Sequence, residues 1–210
     1  MSNLESSYEV EFKYRAPHVS KAVFLEAMRE WIGEYTAQPV SGTDTYFTSP
    51  TSSVVCRKRD SWLSTSFEIT AKSKTGEDST VREETDLWID QTQFSSKEDV
   101  HNRTNNFLKL LGFIENVTIT KTGVYIVTPS VVYSYYVVNG ADTYIEIEAR
   151  KDHNYSNDHA LTLITIKEEL VLGPLFGLTS NDRLTKNMFE LYGDDTHEKS
   201  NYSHLPSSRL

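Results

Sequence analysis

The sequence holds one cysteine, Cys56, in 210 residues. A single thiol excludes an internal disulfide framework. Between Val55 and Arg57 it reads as a small packed residue rather than a reactive one. No apolar run approaches the ~20 residues a membrane-spanning helix needs. The opening Met1-Ser-Asn-Leu-Glu-Ser-Ser has neither the basic start nor the apolar stretch of a secretory signal, so a cytoplasmic location is the expectation. Basic residues are in deficit: Lys and Arg number 21 against 30 Asp and Glu, a net charge of -9. That balance argues against a binder of bare nucleic acid, whose affinity comes largely from neutralising phosphates. The sequence has no Gly-rich phosphate loop, no Ser/His/Asp pattern and no metal-ligand spacing among its histidines (His18, His101, His153, His159, His197, His204), all of which are expected at the surface.

What is present is strand chemistry. Hydrophobic residues at 38% and charged residues at 24% suit a soluble globular domain, and the twelve tyrosines favour strands. Alternation predicts strands over 8–15, 53–59, 65–73, 80–89, 116–127, 131–138 and 143–150, with a further short strand at Thr45-Tyr-Phe after a turn at Ser41-Gly-Thr-Asp. Residues 74–79 read as a hairpin connection, and Asn139-Gly140 is a strong hairpin signal. Helical spacing appears at 19–35, 95–111, 158–172 and 181–192. The tail 194–210 is polar and is expected to be disordered. Hairpin-linked strands with interspersed helices indicate an α+β fold built on an antiparallel sheet.

Side chains alternate across a strand, so each strand can be sorted by face. Glu9, Glu11 and Lys13 share a face, as do Arg57 and Arg59, then Glu68, Thr70 and Lys72, then Arg82, Glu84 and Asp86, and finally Glu146, Glu148 and Arg150. The opposite faces are largely apolar. Two architectures satisfy this rule: an open sheet with its charged face in water, or a barrel closed around that face with helices outside. Acid-x-acid doublets at Glu9/Glu11, Glu84/Asp86 and Glu146/Glu148 would repel one another without cations, and so many carboxylates suit hard ions such as Mg²⁺ or Mn²⁺. The basic set Lys13, Arg57, Arg59, Lys72 and Arg82 suits phosphate oxygens.

The ordered series Tyr8-Glu-Val-Glu-Phe-Lys-Tyr-Arg, Asp44-Thr-Tyr-Phe, Arg57-Lys-Arg59, Lys72, Arg82-Glu-Glu84, Leu111-Gly-Phe113, Lys121 and Glu146-Ile-Glu148, closing with a helix from Arg183 to Tyr192, resembles the CYTH superfamily, the triphosphate tunnel metalloenzymes. The resemblance covers roughly residues 8–192. It implies a closed antiparallel eight-stranded barrel occupying residues 1–193, with a charged interior and outer helices. It implies a divalent-metal-dependent triphosphatase acting on an inorganic, nucleoside or organic triphosphate. The alternatives are a class IV-type adenylyl cyclase and a protein that binds a nucleotide or polyphosphate without turning it over. The roles it implies are metal ligation by Glu9, Glu11 and Glu148, with Glu84, Asp86 and Glu146 next. Phosphate binding falls to Lys13, Arg57, Arg59, Lys72, Arg82 and Lys121. The catalytic set is Glu9, Glu11, Lys13, Arg59 and Lys72. The implied cofactor is Mg²⁺ or Mn²⁺, the partner a triphosphate-bearing small molecule, with an RNA 5′-triphosphate end as the sole nucleic-acid case. The chain departs from the family pattern twice. Gly123 stands where the family has an arginine two residues after the lysine, and 131–138 lacks the acid common on that strand. The tunnel is then wired differently, or its activity is reduced.

Overall fold

The computed structural model describes residues 4–63, 66–73, 80–153 and 155–193. Eight strands close into one antiparallel barrel in the order β1-β5-β4-β3-β2-β6-β7-β8. They are β1 (Leu4–Arg15), β2 (Ala37–Thr48), β3 (Val54–Ser61), β4 (Ser66–Ser73), β5 (Val81–Asp90), β6 (Ile114–Val127), β7 (Val131–Val138) and β8 (Asp142–Ala149). β1 closes the ring by pairing with β5 through its first half (Glu9 opposite Arg82) and with β8 through its second (Glu11 opposite Glu148). Closure rules out the open-sheet alternative.

The helices lie outside. α1 (Lys21–Ile32), α2 (Lys97–Leu110) and α3 (Asn157–Lys167) each begin after a serine whose hydroxyl accepts from a backbone N–H in the first turn: Ser20 from Val23, Ser96 from Asp99 and Ser156 from His159. Such caps satisfy donors a helix start otherwise leaves bare. The outward residues of β1, Val10, Phe12 and Tyr14, bury against Phe24 and Met28 of α1, Ile164 of α3, and Leu172. A smaller cluster of Phe47, Cys56 and Leu108 seats α2. Burying apolar strand faces under helices leaves the charged faces to line the interior. Among the described residues no helix is long and apolar enough to cross a membrane.

Three local expectations are corrected. Ser41–Asp44 is not a turn, because β2 runs straight through it, paired with β3 and β6. Its glycine serves close strand approach: a Cβ on Gly42 would lie 2.6 Å from the Asp60 carbonyl oxygen. The helix expected over 158–172 changes character at Glu168, where a π-turn (Glu168–Leu172) precedes the short α4 (Gly173–Phe176). Pro174 has no N–H to continue the α-helical ladder. The helix expected over 181–192 is only α5 (Met188–Gly193). Before it a 3₁₀ turn (Ser180–Asp182) leads into extended chain, where Arg183 bridges to Tyr14 and the Leu184 N–H donates to the Lys13 carbonyl. The hairpin expected at 74–79 and the tail 194–210 lie outside the described residues.

Candidate active site

Inside the barrel is a cavity of about 1080 Å³. The inward residues of all eight strands line it, and so does Lys151, in the 3₁₀ turn after β8. Every residue given a metal-binding, phosphate-binding or catalytic role from the sequence faces this space: Glu9, Glu11, Lys13, Arg57, Arg59, Lys72, Arg82, Glu84, Asp86, Lys121, Glu146 and Glu148. Near α5 the cavity is bounded by Tyr46, Val55, Tyr136 and Met188, which pack with Ile119 and Tyr144 in one cluster.

The charges are mixed but unevenly distributed, with most acids on one side and Lys13 and Arg82 set among them. One wall, from β1, β5 and β8, carries the acids. Arg82 Nη2 donates to Glu9 Oε2 at 2.9 Å and to Glu11 Oε1 at 2.5 Å. Lys13 Nζ lies 3.0 Å from Glu11 Oε1 and 2.9 Å from Glu146 Oε1. Lys72 reaches across from β4 to Glu9 at 2.9 Å and also pairs with Glu84, which Lys151 grips from the other side. Burial opposes charge on Glu9, but Lys72 and Arg82 outweigh it and hold the carboxyl well below its ordinary range. Glu148 has no such partner; its nearest cation, Lys151, is 3.9 Å away. Burial, joined by the charge of Glu9, pushes its carboxyl up to about 8. Asp86 is also pushed up, chiefly by burial, and its Oδ1 accepts no hydrogen bond.

The opposite wall, from β2, β3 and β6, carries the basic groups. Arg59 forks onto Asp44, with Nε to Oδ1 at 2.8 Å and Nη2 to Oδ2 at 3.1 Å, and Lys121 Nζ shares the same carboxylate at 3.2 Å. Arg57 pairs with Glu68 of β4 and donates to Thr70 Oγ1 at 2.9 Å. Burial would raise Asp44, but Arg59 and Lys121 hold it far below the ordinary carboxylate range. In Glu68 the nearby Arg57 and Arg59 outweigh burial and bring the carboxyl to about 2. Lys121 goes the other way: burial depresses its amine, Arg59 adds to the effect, and Asp44 offsets only part of it. Among the described residues, the buried Nε–H groups of Arg57 and Arg82 find no acceptor. Unpaired buried donors are costly and suit an anion.

Several lining residues escaped the sequence assignment. Asp44 opens the Asp-Thr-Tyr-Phe segment, but it also ends Ser41-Gly-Thr-Asp, whose composition signals a turn. Glu68 was placed with Lys72 on the charged face by alternation but given no role there. Lys151 was hidden because alternation stops at Ala149; Arg150, expected beside Glu146 and Glu148, instead pairs with Asp152 and donates to the Thr128 carbonyl. Tyr136 supplies the polar group on the acid-free β7: its hydroxyl donates to Glu146, and Lys121 Nζ lies 4.8 Å from its ring centroid. Gly123 faces Tyr136 in register, and a Cβ there would lie 2.0 Å from the Tyr135 carbonyl oxygen. The tight approach of β7 therefore excludes an arginine at this position. Outside the barrel, His101 is half-buried rather than exposed, held between Lys58 and Asp60 and edge-on to Phe67. His18, His153 and His159 are exposed, and His197 and His204 lie outside the described residues.

The donor chemistry of the acid wall fits a hard divalent cation: its ligating atoms are carboxylate oxygens, and Glu148 lacks a compensating charge. Among the described residues, no three acidic, imidazole or thiol groups already form a metal-holding cluster, because Glu9, Glu11 and Glu84 are turned to basic partners.

No protein-family profile and no curated protein matches the chain. Solved structures do. A conserved hypothetical protein from Pyrococcus furiosus superposes with a TM-score of 0.65 at 21% identity, over 87% of this chain and 99% of that one. A protein from Pyrococcus horikoshii gives 0.64 at 24% identity, over 87% and 97%. A candidate adenylate cyclase from Vibrio parahaemolyticus gives 0.61 at 17% identity, over 89% and 98%. With its closed eight-stranded barrel, the chain has the fold of these solved structures.

Proposed function

We propose that this protein hydrolyses a triphosphate inside the barrel, with a divalent cation on the acid wall and the phosphates on the basic wall. The observation that carries the reading is the pair of opposite imbalances within one cavity. Glu148 has its nearest cation, Lys151, 3.9 Å away, and Lys121 must share the single carboxylate of Asp44 with Arg59. A metal–polyphosphate complex supplies both.

Glu9, Glu11 and Glu148, with Glu84, Asp86 and Glu146 beside them, would hold Mg²⁺ or Mn²⁺. Bound there, the cation would neutralise phosphate charge and acidify a water molecule. Arg57, Arg59 and Lys121 would grip phosphate oxygens from the other wall, while Lys13, Lys72 and Arg82, standing between the acids, would orient the chain of phosphates. Positioning and charge stabilisation make up most of phosphoryl-transfer catalysis. The guanidinium groups are held in place before substrate arrives by Asp44 and Glu68, so little reorganisation is needed.

Binding without turnover is the second reading. It is supported by Gly123, which stands where an arginine is expected, and by the lack of any acid in 131–138. Incubation with triphosphate, nucleoside triphosphates and thiamine triphosphate in Mg²⁺ or Mn²⁺, followed by phosphorus NMR, separates the outcomes. Orthophosphate release supports hydrolysis. Pyrophosphate with a cyclic nucleotide would replace it with cyclisation, and unchanged ligand with measurable affinity would leave a binding protein.

A further inference from the structure

The barrel end away from α5 has a chemistry of its own. Along β5 the inward residues run Arg82, Glu84, Asp86 and Trp88, from ionic depth to an aromatic rim two residues before the strand ends at Asp90. Trp88 lies opposite Glu68 in register and is 47% exposed. Leu63, just past β3, is 56% exposed and lines the same cavity. Pro39 and Val40 of β2, Tyr125 at the end of β6 and Val132 at the start of β7 belong to the same lining. Register places these strand ends at one mouth: Val40 lies opposite Gly123, and Val127 opposite Val132.

Large apolar side chains left in water at the rim of an ionic cavity form a patch that calls for a cover. The cover must be continuous with whatever fills the charged interior. Inorganic triphosphate has no apolar part and leaves Trp88 and Leu63 bare. A triphosphate ester of a flat ring system places its phosphates on the basic wall and its ring against the indole.

We infer that this collar is a subsite for the planar organic group of the ligand, so that the protein selects an organic triphosphate over the inorganic one. The inference rests on the triphosphate reading above. Ring stacking on an exposed indole is worth about tenfold or more in affinity.

The test is calorimetric titration in Ca²⁺ at low temperature with ATP, thiamine triphosphate and inorganic triphosphate. At least one organic ligand should bind about tenfold or more tighter than inorganic triphosphate, and the two organic arms tell a nucleobase from a thiamine ring. In Trp88→Ala that ratio should fall to within about twofold, and Trp88→Phe should keep most of it. If Trp88→Ala does not fold, Leu63→Ala must lower the same ratio. Equal affinities in the unaltered protein, or an equal loss for both ligand types on substitution, would overturn the collar while leaving the triphosphate reading intact. Binding of none of the three would overturn both.

Discussion

The two walls of the cavity are built from the same kinds of side chain, yet the group each leaves least compensated is of opposite sign: Glu148 on one, Lys121 on the other. On the β1–β5–β8 wall, carboxylates outnumber the cations among them. Glu9 keeps its charge because Lys72 and Arg82 touch it, whereas Glu148, without a close partner, is pushed up to about 8. On the β2–β3–β6 wall, Asp44 is shared between Arg59 and Lys121, and the lysine amine is pushed down. Burial desolvates both walls alike, so the sign of the local surplus decides what each will accept. The acid wall favours a cation and the basic wall an anion.

Four perturbations should break or sharpen this contrast. Arg59→Ala removes the most exposed of the basic wall's three basic groups; turnover of triphosphate should fall by ~10²–10³-fold, the scale of losing one charge-stabilising donor. Near-normal steady-state rates would remove the basic wall from the chemistry. Gly123→Ala drives a methyl group into the β7 backbone. A loss of ~1–3 kcal/mol is expected from overpacking, read as a lower denaturation midpoint, and an unchanged midpoint would mean the glycine is not required by strand approach.

Glu148→Gln tests the acid wall. With its carboxyl pushed up to about 8, Glu148 without metal favours the uncharged form below that pH. Its contribution to stability is therefore complete below the ordinary carboxylate pKa and lost as pH rises through about 8. Thermal melts without metal should show that decline, and Mg²⁺ should reverse it. Mn²⁺ affinity should rise over the same interval as the proton leaves. The amide variant should show neither pH trend, and its Mn²⁺ affinity at pH 9 should be about tenfold weaker. Lys151→Met gives the smallest effect. Removing this tethered cation from Glu84 and Glu148 should tighten Mn²⁺ binding about threefold, while weakening would make Lys151 a support rather than a competitor.

The alternation of charged and apolar residues made the inward set legible, because a period of two assigns faces without any knowledge of closure. Closure itself did not follow from that pattern, which fits an open sheet equally well, and came only with the ordered motif resemblance. What escaped lay where local rules stop. Gly42 signals a turn by composition but serves a close contact in mid-strand. Lys151 follows a strand end, so alternation assigned Arg150 to the cavity instead. The Lys58–His101–Asp60 contact joins β3 to a helix about forty residues later, and no local pattern encodes it.

The two walls act as one site only if their ligands feel each other. Mn²⁺ affinity, followed by electron paramagnetic resonance with and without a saturating non-hydrolysable triphosphate analogue, measures that coupling directly. Tightening of about tenfold or more is expected, since each ligand relieves the other's charge. Identical Mn²⁺ affinities in the two conditions would mean that the acidic and basic walls do not share a ligand.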